Sequence, residues 1–182
     1  MTAPDLISER LLLTAMTEGH ISDEYLSWLN DKELMRFSRQ RHFSHTKETS
    51  IAYQKTFLNT ANYFWAIEDK TNGNRMVGSI TAYVDTLART ADVGIMISPA
   101  VKGQGFGKTA WGMVLKYLFE DLNLRKVTAG TVKGNLGMEG IASHWGMILE
   151  GVLREQELID ETPCDVLKYG LLRNEWLALN SK

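Results

Sequence analysis

Asp92-Val93-Gly94-Ile95-Met96-Ile97-Ser98-Pro99 runs, through Ala100, into Val101-Lys102-Gly103-Gln104-Gly105-Phe106-Gly107-Lys108-Thr109. The first stretch is rich in β-branched residues and stops at a proline, which cannot donate to a ladder. Beyond the second, Ala110, Trp111, Val114, Leu115, Leu118, Phe119 and Leu122 recur at helical spacing and form one broad apolar face. The order is therefore strand, glycine loop, helix. Glycine lets the backbone turn with φ > 0, so successive N–H groups can point into one concavity. A helix start adds unpaired N–H groups and about half a positive charge. Together these make an anion site, normally for phosphate.

Three readings of the loop compete. A dinucleotide fingerprint, Gly-x-Gly-x-x-Gly, counted from Gly103 finds Gly105 but meets Lys108 in the third place. A phosphate loop of the form Gly-x-x-x-x-Gly-Lys-Ser/Thr fits Gly107-Lys108-Thr109 but puts Lys102 where its first glycine belongs. A purely architectural turn, in which glycines only let helix and strand pack closely, has to justify three entropically costly residues within five positions, Gly103 to Gly107.

Outward from the loop, the chain reads as one domain. Its 182 residues are about the length of a single domain. The composition, 44% hydrophobic and 23% charged, excludes a disordered acidic tail, a collagen-like repeat or a disulfide scaffold. A chain this long needs no metal or disulfide staple for its core. The 20 basic and 22 acidic residues give a formal charge of −2, and no basic block exists beyond Arg36 to Arg41, so no nucleic-acid partner is expected. The single Cys164 allows no internal disulfide and suits a reducing compartment. No apolar run approaches a membrane span, and Met1 to Arg10 lacks the pattern of a signal peptide. A soluble, cytoplasmic protein without a metal is the expectation.

Periodicity and turn signals place a strand over 11–15, a helix over 20–30 and a second helical piece over 31–38. A helix capped by Thr46 is expected to reach Asn59. Strands are expected over 63–67, 76–84 and 91–98, the first two joined by a hairpin turn at Thr71-Asn72-Gly73-Asn74. After the loop helix come a strand over 126–132, a short helix over 137–145, a strand pair over 148–159 and 166–173, and a tail helix over 175–180. This order predicts an α/β or α+β single domain around a mixed sheet.

The strand and loop around Lys102-Gly103-Gln104-Gly105-Phe106-Gly107 resemble the acetyl-CoA-binding signature of the GNAT N-acetyltransferases, Arg/Gln-x-x-Gly-x-Gly/Ala, with Lys102 at the Arg/Gln position. Downstream, Asn135, Gly146-Met147 and Glu150-Gly151-Val152-Leu153-Arg154 are similar to the pattern of the RimJ/RimL-type branch. Met138 and Met147 stand there for the usual Ser and Phe. Ser8-Glu9-Arg10-Leu11-Leu12-Leu13 also looks like that branch. The resemblance implies one domain over 6–178, with a strongly twisted mixed sheet splayed between its fourth and fifth strands. Acetyl-CoA would lie in that cleft. The backbone of Ile95, Met96 and Ile97 would pair with the pantetheine arm. Lys102, Gly103, Gln104, Gly105, Phe106, Gly107, Lys108 and Thr109 would hold the pyrophosphate, and Asn135 would reach the cofactor arm.

Acetyl transfer to an amine needs a neutral amine, close approach and a base. Many members of the family place a tyrosine acid seven residues after the asparagine; here that position is Ala142, which leaves Ser143 or His144 as substitutes. Asp92, on the strand before the loop, is the candidate base. With no strong acid–base pair visible, an amine of pKa about 8, such as a protein N-terminus or an amino sugar, is favoured over lysine near 10.4. Trp28, Arg41, Tyr83 and Asp85 are candidate acceptor contacts, and a homodimer is possible. Two further classes stay open: an acyl-CoA-binding protein without catalysis, and a P-loop-like nucleotide-binding protein.

Overall fold

The computed structural model describes residues 2–179. Eight strands form one mixed sheet among these residues: β1 (Leu6–Ile7), β2 (Leu11–Ala15), β3 (Tyr63–Asp69), β4 (Arg75–Asp85), β5 (Thr90–Ile97), β6 (Lys126–Val132), β7 (Ile148–Ile159) and β8 (Thr162–Leu172). Their spatial order is β1-β2-β3-β4-β5-β6-β8-β7. All neighbouring pairs are antiparallel except β5 with β6. The helices are α1 (Asp23–Leu29), α2 (Lys47–Lys55), α3 (Phe106–Lys116), α4 (Leu136–His144) and α5 (Arg173–Leu179).

Helices cover the sheet on both faces, and β3 shows why its sequence is a continuous apolar run. Tyr63, Trp65 and Ile67 point into a core shared with Trp111, Val114, Leu115 and Leu118. The alternate residues Phe64 and Ala66 point the other way, against Tyr25, Trp28 and Phe57. A strand buried on both faces has no polar side to alternate with. Each fully buried large side chain contributes about 1.5–3 kcal/mol, so the α3 face is a principal source of stability.

Several boundaries depart from expectation for local reasons. The expected helix over 20–30 breaks: residues 18–20 form one 3₁₀ turn, and Ser22 caps a new start by accepting from Tyr25 N. The piece over 31–38 is a chain of turns: Asp31 caps its start by accepting from the N–H groups of Glu33 and Leu34, and one helical bond forms from Met35 N to Asp31 O at 2.9 Å, but the bonds that follow, from Arg36 N to Glu33 O and from Ser38 N to Met35 O, are three-residue turns. Thr46 does cap α2, but the helix ends at Lys55 rather than Asn59. The loop helix changes to a π turn over Tyr117–Asp121, closed by Leu122 N to Tyr117 O at 3.0 Å. Strand β1 was not expected, and β8 begins four residues before the expected Val166. Helix α5 starts at Arg173, and Asn180 of the expected tail helix lies outside the described residues.

Candidate active site at the splay between β5 and β6

Strands β5 and β6 pair in parallel only at Thr90↔Lys126, Ala91↔Val127 and Asp92↔Thr128. Beyond that point β5 continues to Ile97 and β6 to Val132 without pairing to each other. Counted from Leu11, these are the fourth and fifth strands, so the expected splay is present. The backbone of Ile95, Met96 and Ile97 pairs on its other side with Ile80, Ser79 and Gly78 of β4, leaving the edge toward β6 open. An open strand edge is a template for pairing with another extended chain.

The glycine loop stands at the end of this opening. Gly103 and Gly105 have φ of +79° and +85°, where an L side chain is strained. Nothing lies within 4 Å of where their Cβ atoms would stand, so the loop is open as well as tightly turned. The first bond of α3 runs from Thr109 N to Gly105 O at 3.1 Å. The N–H groups of Phe106, Gly107 and Lys108 therefore lack an intrahelical acceptor at a positive helix end. Gly107 differs from the other two: it is inside the helix, and a Cβ there would press on Ile141 at 3.3 Å and Ile97 at 3.4 Å. Two glycines turn the loop; the third lets α3 pack on β5 and α4.

Asp92 occupies the last ladder pair before the splay. It is exposed, and its carboxylate accepts a hydrogen bond from the Thr128 hydroxyl at 2.8 Å. Tyr83 lies opposite it on β4, on the same face of the sheet, and is 42% exposed. The Tyr83 hydroxyl is hydrogen-bonded to that of Tyr53 on α2, and its ring packs against Phe57. Burial, and then the Tyr83 hydroxyl, hold the Tyr53 phenol well above its ordinary value. Tyr83, Asp92 and Thr128 thus form one row across β4, β5 and β6 where the opening begins, and the glycine loop stands at its far end.

Other sequence candidates sit elsewhere or act differently. Trp28 is 6% exposed and packs edge-on against Tyr25, so it is a core residue. The Arg41 guanidinium is spent on Glu157 at 2.9 Å and on the carbonyls of Leu158 and Ser38, both at 2.8 Å, tying residues 39–42 to the β7–β8 hairpin. Asp85 accepts from Leu87 N and Ala88 N and builds the β4–β5 turn. Ser143 is on the exposed side of α4, opposite Met138, Ile141 and Ala142, which are buried. His144 is also exposed, with its ring edge-on to Trp145. Asn135 caps α4 by accepting from Met138 N, and donates to Thr131 at 2.9 Å. In the loop, Phe106 buries its ring and offers only its backbone, while the Gln104 side chain turns to Ala100 and Arg10. The Thr109 hydroxyl bonds back to Gly105 O, and Lys102 and Lys108 are exposed.

Arg10 was missed as a site residue. Its guanidinium donates to the Gln104 carbonyl at 3.1 Å and lies 3.8 Å from the centre of the Phe106 ring. It clamps the loop from the residue before β2, 94 positions away in the sequence. The Ser8-Glu9-Arg10 motif was visible, but nothing local tied it to the loop. Among the described residues no group of His, Cys, Asp and Glu is arranged to hold a metal ion, and no helix is long and apolar enough to cross a membrane.

Known proteins share this fold. A spermidine N(1)-acetyltransferase of Vibrio cholerae is 24% identical over 173 residues, covering 94% of this chain and 98% of the relative. The putative ribosomal N-acetyltransferase YdaF of Bacillus subtilis is 28% identical over 93 residues, so the match spans only about half of each chain, 51%. The Vibrio cholerae spermidine N-acetyltransferase solved with CoA and spermine superposes with a TM-score of 0.84 at 23% identity, covering 93% of this chain and 99% of that one. RimL, an alpha-N-protein acetyltransferase of a ribosomal protein solved with coenzyme A, also gives 0.84, at 16% identity, covering 94% and 99%. At these identities the solved structures establish the fold. The family described as Acetyltransferase (GNAT) domain matches residues 10–148, and the chain belongs to the GNAT N-acetyltransferases.

Proposed function

We propose that this chain carries an acetyl group from acetyl-CoA to a primary amine at the β5–β6 splay, within a ternary complex. The observation that carries this is the coincidence of three features: an open β5 edge, the orphan N–H groups of Phe106 to Lys108 beside an open glycine turn, and Asp92 at the last ladder pair. The donor set suits acetyl-CoA. Backbone N–H groups at a helix start fit a pyrophosphate, and an unpaired strand edge fits an amide-bearing arm. Gly103, Gly105 and Lys102 to Thr109 would hold the phosphates, and Ile95 to Ile97 the arm. When bound, acetyl-CoA supplies an activated thioester, whose C–S bond breaks as the new C–N bond forms.

The chain's own residues supply position and a proton acceptor. Asp92 takes the proton released by the attacking amine, and Thr128 orients the carboxylate. Tyr83 lines the approach with its hydroxyl fixed by Tyr53. The seventh residue after Asn135 is Ala142, which carries no acid, so protonation of the leaving thiolate falls to solvent. An amine already partly neutral near pH 7 suits this modest machinery, which favours an α-amino group or an amino sugar over lysine.

A second reading follows from that same Ala142: the chain binds acyl-CoA and transfers nothing. Thiol release from acetyl-CoA against N-terminal peptides, polyamines, aminoglycosides and nucleotide-linked amino sugars separates the two. Amine-dependent release supports transfer; saturable CoA binding with no release by any amine supports the second reading. The cytoplasm is the compartment proposed, and a homodimer the assembly proposed.

A further inference from the structure

We infer that Lys168 selects an acceptor carrying an anionic group, a carboxylate or phosphate, a few bonds from its amine. This rests on the acetyl-transfer reading above and narrows its substrate class.

Lys168 lies on β8 opposite Gly130 of β6 and Gly151 of β7, and Gly170 is the next residue of β8 on the same face. Three positions around it therefore carry no side chain. Its own chain lies across Gly130: a Cβ there would stand 2.8 Å from the ammonium nitrogen and 3.4 Å from each of two methylenes. The ammonium is thus turned toward β6 and the splay rather than outward over β7.

This is the face that holds Asp92. The Asp92 and Thr128 side chains are bonded to each other, and Gly130 follows Thr128 by two residues on the same face. Gly94 holds the corresponding position on β5. The floor of the opening just past the last ladder pair is therefore bare on both strands, with Asp92 at its closed end and Lys168 beside it.

Lys168 has no ion-pair partner among the described residues, although its neighbours do. Lys126 pairs with Glu150 at 2.6 Å, and Lys133 with Asp165 at 3.8 Å. Glu150 lies over Gly170 and is paired with Lys126, and it makes no ion pair with Lys168. A carboxylate and an unpaired ammonium on one face, with bare glycine positions between them, are complementary to a zwitterion: Asp92 for the amine, Lys168 for the anion. The same ammonium repels a polyamine, whose further charges are positive.

The test measures binding and turnover separately. Calorimetric binding to the protein alone, and thiol release from acetyl-CoA, are measured for matched acceptors. These are peptide amides beginning Ser-Asp and Ser-Asn, an amino sugar with and without a phosphate, and spermidine. The wild type should favour the anion-bearing partner of each pair by about three- to tenfold, the range for an exposed charge-assisted contact. Comparing the peptide and sugar pairs distinguishes a carboxylate from a phosphate. Lys168→Gln should erase the preference, Lys168→Arg should retain it, and Lys168→Glu should turn it toward spermidine. Gly130→Ala, which displaces only the flexible end of Lys168, should weaken it without unfolding the chain. Absence of any preference in the wild type, or a preference that survives Lys168→Gln, overturns the assignment. Anion-selective binding with no thiol release leaves the selection intact and sinks acetyl transfer; thiol release without anion preference does the reverse.

Discussion

Asp92 has one strand partner on each side, Tyr83 and Thr128, and only the second touches its carboxylate. Replacing it with asparagine keeps the shape and removes the proposed proton acceptor. Asp92→Asn should lower kcat at neutral pH about a hundredfold, while the Kd for acetyl-CoA stays within about twofold; steady-state rates and calorimetry check the split. Unchanged turnover would remove Asp92 from the mechanism. Tyr53 gives a stability prediction with a definite sign. Its phenol is raised from 10.0 in the folded chain, so the folded state keeps its proton while the unfolded chain begins to lose it. The contribution is full below pH 10.0 and is lost as pH rises from there toward the folded value. Thermal melts of the wild type should fall more steeply above about pH 10 than those of Tyr53→Phe. At this scale the sequence was only partly legible. Asp92 was chosen for its place on the strand before the loop and Tyr83 for its place at the end of a central strand, and the two stand opposite each other on β5 and β4. Arg41 and Asp85 were misleading because an isolated charge does not show whether an internal partner such as Glu157 or Leu87 N consumes it.

The β5–loop–α3 unit is where local signals and structure coincide. The glycine pattern located it, and the +79° and +85° backbones of Gly103 and Gly105 explain two of its three glycines. Ala at Gly105 should weaken CoA binding at least several-fold, through strain of about 1–2 kcal/mol and misdirected N–H groups, as read by calorimetry. Arg10→Ala should loosen the loop from behind: about 0.5–1 kcal/mol of cation–π contact with Phe106 is lost, with a weaker Kd for CoA and little change in kcat. Gly112, in the same helix, behaves against propensity. Alanine normally stabilises a helix, but a Cβ here would stand 2.1 Å from the Trp145 ring, which Lys108 O fixes through a 2.9 Å bond. Gly112→Ala should therefore destabilise by about 1–3 kcal/mol in denaturant unfolding. No local pattern announces that contact, because Trp145 arrives from just past the end of α4, as Arg10 arrives from just before β2.

The whole molecule is a sheet with two differently used faces. One packs against α3, α4 and α5 and supplies most of the core; the other packs against α1 and α2 and presents Tyr83, Asp92 and Lys168 beside the opening. The sequence made the alternation of strands and helices legible, since period and turn residues are local. It did not show the short β1, whose two residues carry no period, nor the turns over 31–38, where a capped start runs on into three-residue turns instead of a helix. The splay itself came from family resemblance and not from any residue pattern; in the structure it is simply the point where pairing stops after Asp92↔Thr128. Acetyl transfer to an amine at that point is best tested with acetyl-CoA whose acetyl group carries a heavy isotope, incubated with the acceptor panel and followed by mass spectrometry of amine, thiol and protein. The account predicts labelled acetyl on the amine in amounts equal to the free thiol, with none retained on the protein. Label that stays on CoA with every amine, or that accumulates on the protein, would contradict it.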